Sequence, residues 1–235
     1  MDKDNAASVA TGRGGAVTGR GGTVERLVQR LRDGIIRSQY APGQRLIEAD
    51  LTRDFGVSRG PLREAFRRLS AEGLVQIVPH RGAVVRRLSF SETMELFQIR
   101  TALECLAVQL AADGIDTGDN RARFEDAIRP IWNESPRASG ATYHEENRRF
   151  HQAILDICGN QQLAELSRQL QLPLLMLQMS GVMTSDMYAD SVIEHRAIAS
   201  AILAGDAKRA ERAMRKHLNR AQAIARAMPK SVFRS

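Results

Sequence analysis

At 235 residues, 43% of them hydrophobic, the chain is long enough for two ordinary domains and apolar enough to give each a core. No apolar run reaches the about 18 residues that a membrane span needs, and no apolar signal segment opens the chain, so neither a membrane partner nor export is expected. The net charge of +7 is uneven: residues 24–87 hold thirteen arginines against seven acids, whereas residues 88–235 balance. A localised basic excess fits a polyanion partner better than a diffuse one does.

Residues 1–23 repeat Thr-Gly-Arg-Gly-Gly at 11–15 and 18–22 and are too polar to bury much surface, so a disordered tail is expected there. A first helix is predicted from Val24 to about Gln39, with Leu27, Leu31, Ile35 and Ile36 inward. Pro42-Gly43 turns the chain, and a second helix is expected within Leu46 to Phe55. Gly56 suits the left-handed residue that ends it. Ser58 is a good N-cap for the next helix, and Pro61 is tolerable in the first turn, where N–H groups lack intrahelical acceptors. Leu62, Ala65, Phe66 and Leu69 form an apolar stripe. Arg59, Arg63 and Arg67 form a basic row on another face. A helix, a tight turn and a basic-fronted second helix have the outline of a DNA-binding helix-turn-helix. Val75–Val78 and Ala83–Arg86 read as two strands around Pro79-His80-Arg81-Gly82, a β-hairpin wing.

From Leu88 onward the pattern is helical. Ser89 with Glu92, and Thr142 with Glu145, fit capping boxes. Helices are expected over Phe90–Ala112, Asp119–Glu134, Thr142–Ile157, Gln161–Ser180 with a kink at Pro173, Asp186–Ala204, and from Asp206 to about Met228. The run Leu172–Met183 reads as core or subunit interface. Cys105 and Cys158 fall in apolar helical patterns and read as buried thiols of a reducing, cytoplasmic compartment. The fold class expected is mainly α: a winged helix-turn-helix over 24–87, an all-α bundle of about six helices over 88–228, and a tail over 229–235.

Four of the five histidines lie in the bundle. His151, His195 and His217 fall on three different helices, and Asn147 is one turn before His151 on the same face. Histidines on separate helices of a bundle can converge on a metal, for which imidazole suits Zn²⁺ or Ni²⁺. His144 reads as an exposed residue near a helix start. Arg100 shares a stripe with Leu96, Leu103 and Ala107, so its guanidinium points inward and needs a partner. That partner is an acid such as Glu104 or a ligand carboxylate.

Val57-Ser58-Arg59-Gly60-Pro61-Leu62-Arg63-Glu64-Ala65, with Pro42-Gly43-Gln44-Arg45-Leu46 before it and Pro79-His80-Arg81-Gly82 after it, resembles the DNA-binding region of the GntR family of bacterial transcription regulators. The helical part resembles the FCD domain of the family's FadR branch. The resemblance implies a homodimer on a pseudo-palindromic operator of double-stranded DNA. It implies a small organic-acid effector and a divalent metal, Zn or Ni, held by an Asp-x-x-x-His pair and two later histidines. Asn147, His151, His195 and His217 stand at those positions, with Asn replacing the usual Asp. The effector-binding residue implied is Arg100, and repression is the family's commoner habit. Arg45, Ser58, Arg59, Pro61, Arg63, Arg67, His80, Arg81 and Gly82 are the DNA-contacting candidates. One rival is a metal-dependent hydrolase built on the histidines, but no HExxH, nucleophile elbow or Gly-rich phosphate loop is present, so no enzyme is expected. A second rival is a module that offers its basic face to another protein.

Overall fold

The computed structural model describes residues 20–36, 39–79, 81–132, 140–170, 172–180 and 182–234. The expected tail over 1–19 and the wing residue His80 lie outside them. Helix α1 spans Arg20–Ile36, so residues 20–23 are helical rather than tail. Val24 is buried, and its helical N–H needs the carbonyl four residues back, at position 20.

Helices α2 (Glu48–Phe55) and α3 (Arg59–Ala71) follow. Gly56 lies at φ 63°, the left-handed cap that the turn requires. Ser58 occupies the N-cap position of α3 in extended conformation, yet its hydroxyl makes no cap hydrogen bond. The apolar stripe is as expected: Leu62, Ala65, Phe66 and Leu69 are all buried. The wing has strands β2 (Val75–Val78) and β3 (Gly82–Val85), and a third strand joins them. This is β1, Arg45–Leu46, where the helical pattern suggested the start of α2. It pairs antiparallel with β3, giving the order β1-β3-β2.

The remaining elements are α4 (Phe90–Asp113), α5 (Asn120–Ile128), α6 (Gly140–Ile157), α7 (Gln161–Gln169), α8 (Leu172–Ser180), α9 (Ser185–Leu203) and α10 (Ala207–Ala227). The Ser89–Glu92 capping box on α4 is present in both directions. Thr142 falls inside the first turn of α6 rather than capping it, because α6 begins at Gly140. α5 gives way to a 3₁₀ turn at Arg129–Trp132. Pro130 has no N–H to continue the α-helical ladder. The single kinked helix expected over 161–180 is two helices. Leu170 is extended at ψ 140° and ends α7, and Pro173 falls in the first turn of α8, where a proline fits. No described helix is long and apolar enough to cross a membrane.

Among the described residues, two apolar clusters hold the chain. One joins Cys105, Phe124, Phe150, Ile154, Ile198, Ile202, Met214 and Leu218 at the centre of the helical bundle. The other holds Leu31, Leu62, Phe66, Leu69 and Val85 of the winged helix and continues into Leu174, Leu175 and Met179 of α8 and Ala225 of α10. The junction between the parts is gripped from several sides. Gln178 accepts from the Leu88 N–H at 2.9 Å and donates to its carbonyl at 3.1 Å. Arg87 donates to the Pro42 carbonyl. Beyond α10, the expected tail docks: the Arg234 N–H donates to the Leu88 carbonyl, and Phe233 meets Phe90 edge-on at 5.4 Å.

Candidate functional site

The first site is a groove between α3 and the wing. Its 550 Å³ is lined by Arg45, Arg59, Arg63, Arg67, Arg81 and Gly82, together with Glu48 and apolar Ile47, Ile77 and Pro79. The geometry follows from local structure. The i, i+4 spacing puts Arg59, Arg63 and Arg67 on one face of α3, while the buried stripe fixes which face looks out. Arg45 arrives from β1, and its Nε donates to the Arg81 carbonyl at 2.8 Å, tying the first strand to the wing. Gly82 sits at φ 87°, and a Cβ there would stand 2.5 Å from the Leu46 carbonyl oxygen. Only glycine lets β3 approach β1 so closely. Ser58 is exposed, and neither Ser58 nor Pro61 lines the groove; both stand at the start of α3. Among the described residues Arg59 has no ion-pair partner, whereas Arg67 meets Glu64 at 3.1 Å and Arg63 meets Glu48. Glu48 lay outside sequence reasoning, which read it only as a helix residue.

The second site is the centre of the bundle. His151 from α6, His195 from α9 and His217 from α10 bring one ligand atom each within 4.8 Å of one another. Each ring is held from behind. Glu104 Oε2 lies 2.5 Å from His151 Nδ1. Glu194 Oε2 lies 2.8 Å from His217 Nδ1, while its other oxygen accepts from Arg220. The ring of Phe150 stacks on His195 at 4.3 Å between centroids. Carboxylates stand on the Nδ1 edges of His151 and His217, the arrangement that orients a metal-binding imidazole by its other nitrogen. His195 Nε2 is buried with no hydrogen-bond partner among the described residues.

Burial sets the charge state of the rings. It pushes His217 down to about 4, against the opposing pull of Glu194. Burial and the neighbouring His217, His151 and Arg100 push His195 well below the usual range. Both rings are therefore neutral near pH 7, with lone pairs available for a metal. His151 together with these two neutral imidazoles, one of them carrying the unpartnered His195 Nε2, is a donor set that fits Zn²⁺ or a similar ion.

Arg100 is buried and pairs with Glu104 at 2.5 Å. Its Nη2 lies 3.3 Å from His151 Nε2, at the rim of the histidine cluster. The internal-acid partner is thus present, and the guanidinium also lines a cavity of about 20 Å³ with Asn147, His217, Arg220, Tyr143 and Ser191. Asn147 is buried on the same face of α6 as His151, and its Oδ1 accepts from Tyr143 at 3.3 Å. Tyr143 also shares a 2.7 Å hydrogen bond with Ser191. His144 takes no part in the cluster. It is half-buried rather than exposed, and its ring meets that of Tyr188 edge-on at 5.9 Å. Met176, Met179 and Met183 line the cavity too, so the run read as core or interface has a second face. Glu194 was also missed, although its place beside His195 was the available signal. Both cysteines are buried free thiols, and burial pushes Cys105 up to about 11.

The comparisons with known proteins agree with this layout. The family model described as bacterial regulatory proteins, gntR family, matches residues 23–85, and the FCD domain model matches residues 95–220. The HTH-type transcriptional repressor GlaR of Escherichia coli (strain K12) is 29% identical over 204 residues, 80% of this chain and 89% of that one. The uncharacterized HTH-type regulator YdhC of Bacillus subtilis (strain 168) is 31% identical over 58% of this chain and 61% of its own length, so the chain spans about three fifths of that relative. Among solved structures, the GntR structure from Rhodococcus sp. RHA1 aligns with TM-score 0.75 at 26% identity, covering 88% of this chain and all of that one. Escherichia coli McbR/YncC shares the fold, with TM-score 0.74 at 19% identity over 87% of this chain and 97% of its own.

Proposed function

The chain belongs to the GntR family of bacterial regulatory proteins, in the branch that carries an FCD domain, and from that premise we propose that it is a cytoplasmic repressor whose grip on an operator is set by an organic acid bound at the histidine cluster. The observation that carries the DNA half is the convergence of five arginines on one groove between α3 and the wing. Such a surface presents guanidinium forks to base edges and phosphates. The free Ser58 hydroxyl and the N–H groups at the start of α3 supply a phosphate contact, with Arg81, Gly82 and His80 of the wing reaching the backbone or minor groove. Two copies reading two half-sites suit a two-fold operator. The outer face of α4 leaves Ile99, Ala102 and Leu106 exposed at coiled-coil-like spacing, a stripe suited to a second copy.

In the effector half, His151, His195 and His217 would hold a divalent metal, with Asn147 as a neutral fourth donor. The metal would supply a Lewis-acidic anchor for a carboxylate. Arg100 faces the same cavity and would take the carboxylate's other oxygen. Met179 supports the link to DNA binding, because it lines that cavity and is also buried in the cluster that holds α1 and α3. The hydrolase alternative is disfavoured because the acids beside the histidines among the described residues, Glu104 and Glu194, are both spent on an imidazole and an arginine.

Two experiments test this reading. A duplex selected from a randomised pool by the wild-type protein should bind more than about tenfold less tightly to Arg59→Ala plus Arg63→Ala; a smaller loss counts against the groove as the reading surface. Elemental analysis of untagged protein should find near-stoichiometric metal that His195→Ala lacks. Protein that stays metal-free after incubation with Zn²⁺ and Ni²⁺ would remove the metal from the proposal.

A further inference from the structure

We infer that Glu48 is a positioning and selectivity residue for DNA reading: its carboxylate aims the Arg63 guanidinium at a base edge and keeps the groove from gripping phosphate indiscriminately. The inference rests on the reading of the groove as the DNA-contacting surface.

Among the described residues, Glu48 is the only acid in the lining of the arginine groove. Both of its oxygens accept from Arg63 Nε, at 3.0 and 3.1 Å. The two residues are fifteen apart and come from different helices, so the contact is not the ordinary pairing along one helix. Their exposures are unequal. The Glu48 side chain is 21% exposed and that of Arg63 is 58% exposed. An anchored acid therefore holds a projecting base. The wing stands close behind it: a Cβ added at Gly82 would lie 3.6 Å from Glu48 N and 3.7 Å from its Cγ.

The geometry of the fork gives this pairing a consequence. A guanidinium has five N–H donors in a rigid plane. With Nε committed to Glu48, the end-on pair Nη1 and Nη2 has no acceptor among the described residues, on a side chain that is 58% exposed. An end-on pair matches the two acceptors of guanine, O6 and N7, in the major groove. A free arginine must lose rotamer freedom to reach that pose, whereas a tethered one has already lost it. The carboxylate also offsets one positive charge in the groove, which weakens attraction to any phosphate, whatever the sequence. A negative charge beside the readers thus raises the ratio of specific to non-specific binding through both terms.

Glu48 also stands in the first turn of α2, where an acid favours the helix dipole. That structural role would alter stability and lower all DNA binding together. The test separates the two. Wild type, Glu48→Ala, Arg63→Ala and the double variant are titrated, across a salt series, against the selected duplex and against a scrambled duplex. The expected results are a selectivity about tenfold lower in Glu48→Ala, a similar or larger loss in Arg63→Ala, and a double variant no less selective than Arg63→Ala. The salt slope of Glu48→Ala on scrambled duplex should steepen by about 0.9, the mark of one more phosphate contact made by the released arginine. Wild-type selectivity in Glu48→Ala, equal losses on both duplexes with an unchanged slope, or additive losses in the double variant would each overturn the inference while leaving the groove as the reading surface. Wild-type selectivity in Arg63→Ala would overturn both. Should Glu48→Ala melt below assay temperature, Glu48→Gln keeps the shape without the charge and is judged by the same criteria.

Discussion

Replacing Glu104 by leucine isolates the electrostatics at the bundle's centre. The Arg100 side chain is 4% exposed and that of Glu104 8%, so neither group has water to fall back on. The carboxyl is held well below the usual range because Arg100 and His151 outweigh the desolvation that opposes them. Leucine removes the acid at similar volume and leaves a buried guanidinium without its counter-charge. Breaking a buried pair in this way costs about 3–5 kcal/mol. At about 2–4 °C per kcal/mol for a chain of this size, Tm should fall by on the order of 10 °C. The double variant Arg100→Met plus Glu104→Leu removes both charges and should recover most of the loss. It should stay about 1 kcal/mol short, because His151 Nδ1 has also lost the carboxylate beside it. The assay is thermal melting of chelator-treated protein followed by circular dichroism at 222 nm. A Glu104→Leu variant that melts with the wild type, or a double variant no more stable than the single one, would refute the view that this pair is desolvated and mutually compensating.

Two further outcomes follow from the geometry. Gly82→Ala places a methyl against the Leu46 carbonyl at a positive φ, so β1 must separate from the wing; operator affinity should drop at least about fivefold, as measured by anisotropy, and wild-type binding would show that the strand contact is dispensable. In metal-free protein the folded-state value of His217 is depressed, so the stability it confers is present above its ordinary value of 6.5 and is lost as pH falls from there towards about 4. Urea midpoints should therefore decline between pH 6.5 and 4, less steeply in His217→Gln, and parallel declines in the two proteins would contradict the assignment.

What was legible in the sequence was what neighbours along the chain decide. The stripe Leu62, Ala65, Phe66 and Leu69, the left-handed Gly56 and the Ser89–Glu92 capping box are all short-range patterns, and each appears in the fold. The bundle's histidines were readable as candidates from their helical spacing and from the family resemblance. Contacts between distant segments were less visible. Strand β1 is two residues long and exists only because β3, some 38 residues later, accepts its edge. Glu48 and Arg63 reveal nothing in sequence of their partnership. Glu194 stands beside His195 in sequence, but its contacts with His217 and Arg220 exist only because α10 packs there. Pro173 was readable as a kink, but the place where the helix before it stops depends on what the next segment packs against.

The carboxylates around the histidines sharpen what a ligand at this centre must be. Glu104 balances Arg100 and Glu194 balances Arg220, and each also steadies an imidazole. These four charges cancel before any ion arrives. Asn147, a neutral amide on the same face of α6 as His151, adds none. A divalent ion on the three imidazoles would therefore add two positive charges to a buried site whose acids are already paired, which is costly unless an anion accompanies it. Asn147→Asp would supply one negative charge from the protein itself. It should tighten metal binding in calorimetry with Zn²⁺ alone, and weaken the demand for an anionic partner by the same electrostatic logic. A variant that binds Zn²⁺ no more tightly than the wild type would mean that position 147 does not reach the metal, and that the site's charge is balanced elsewhere.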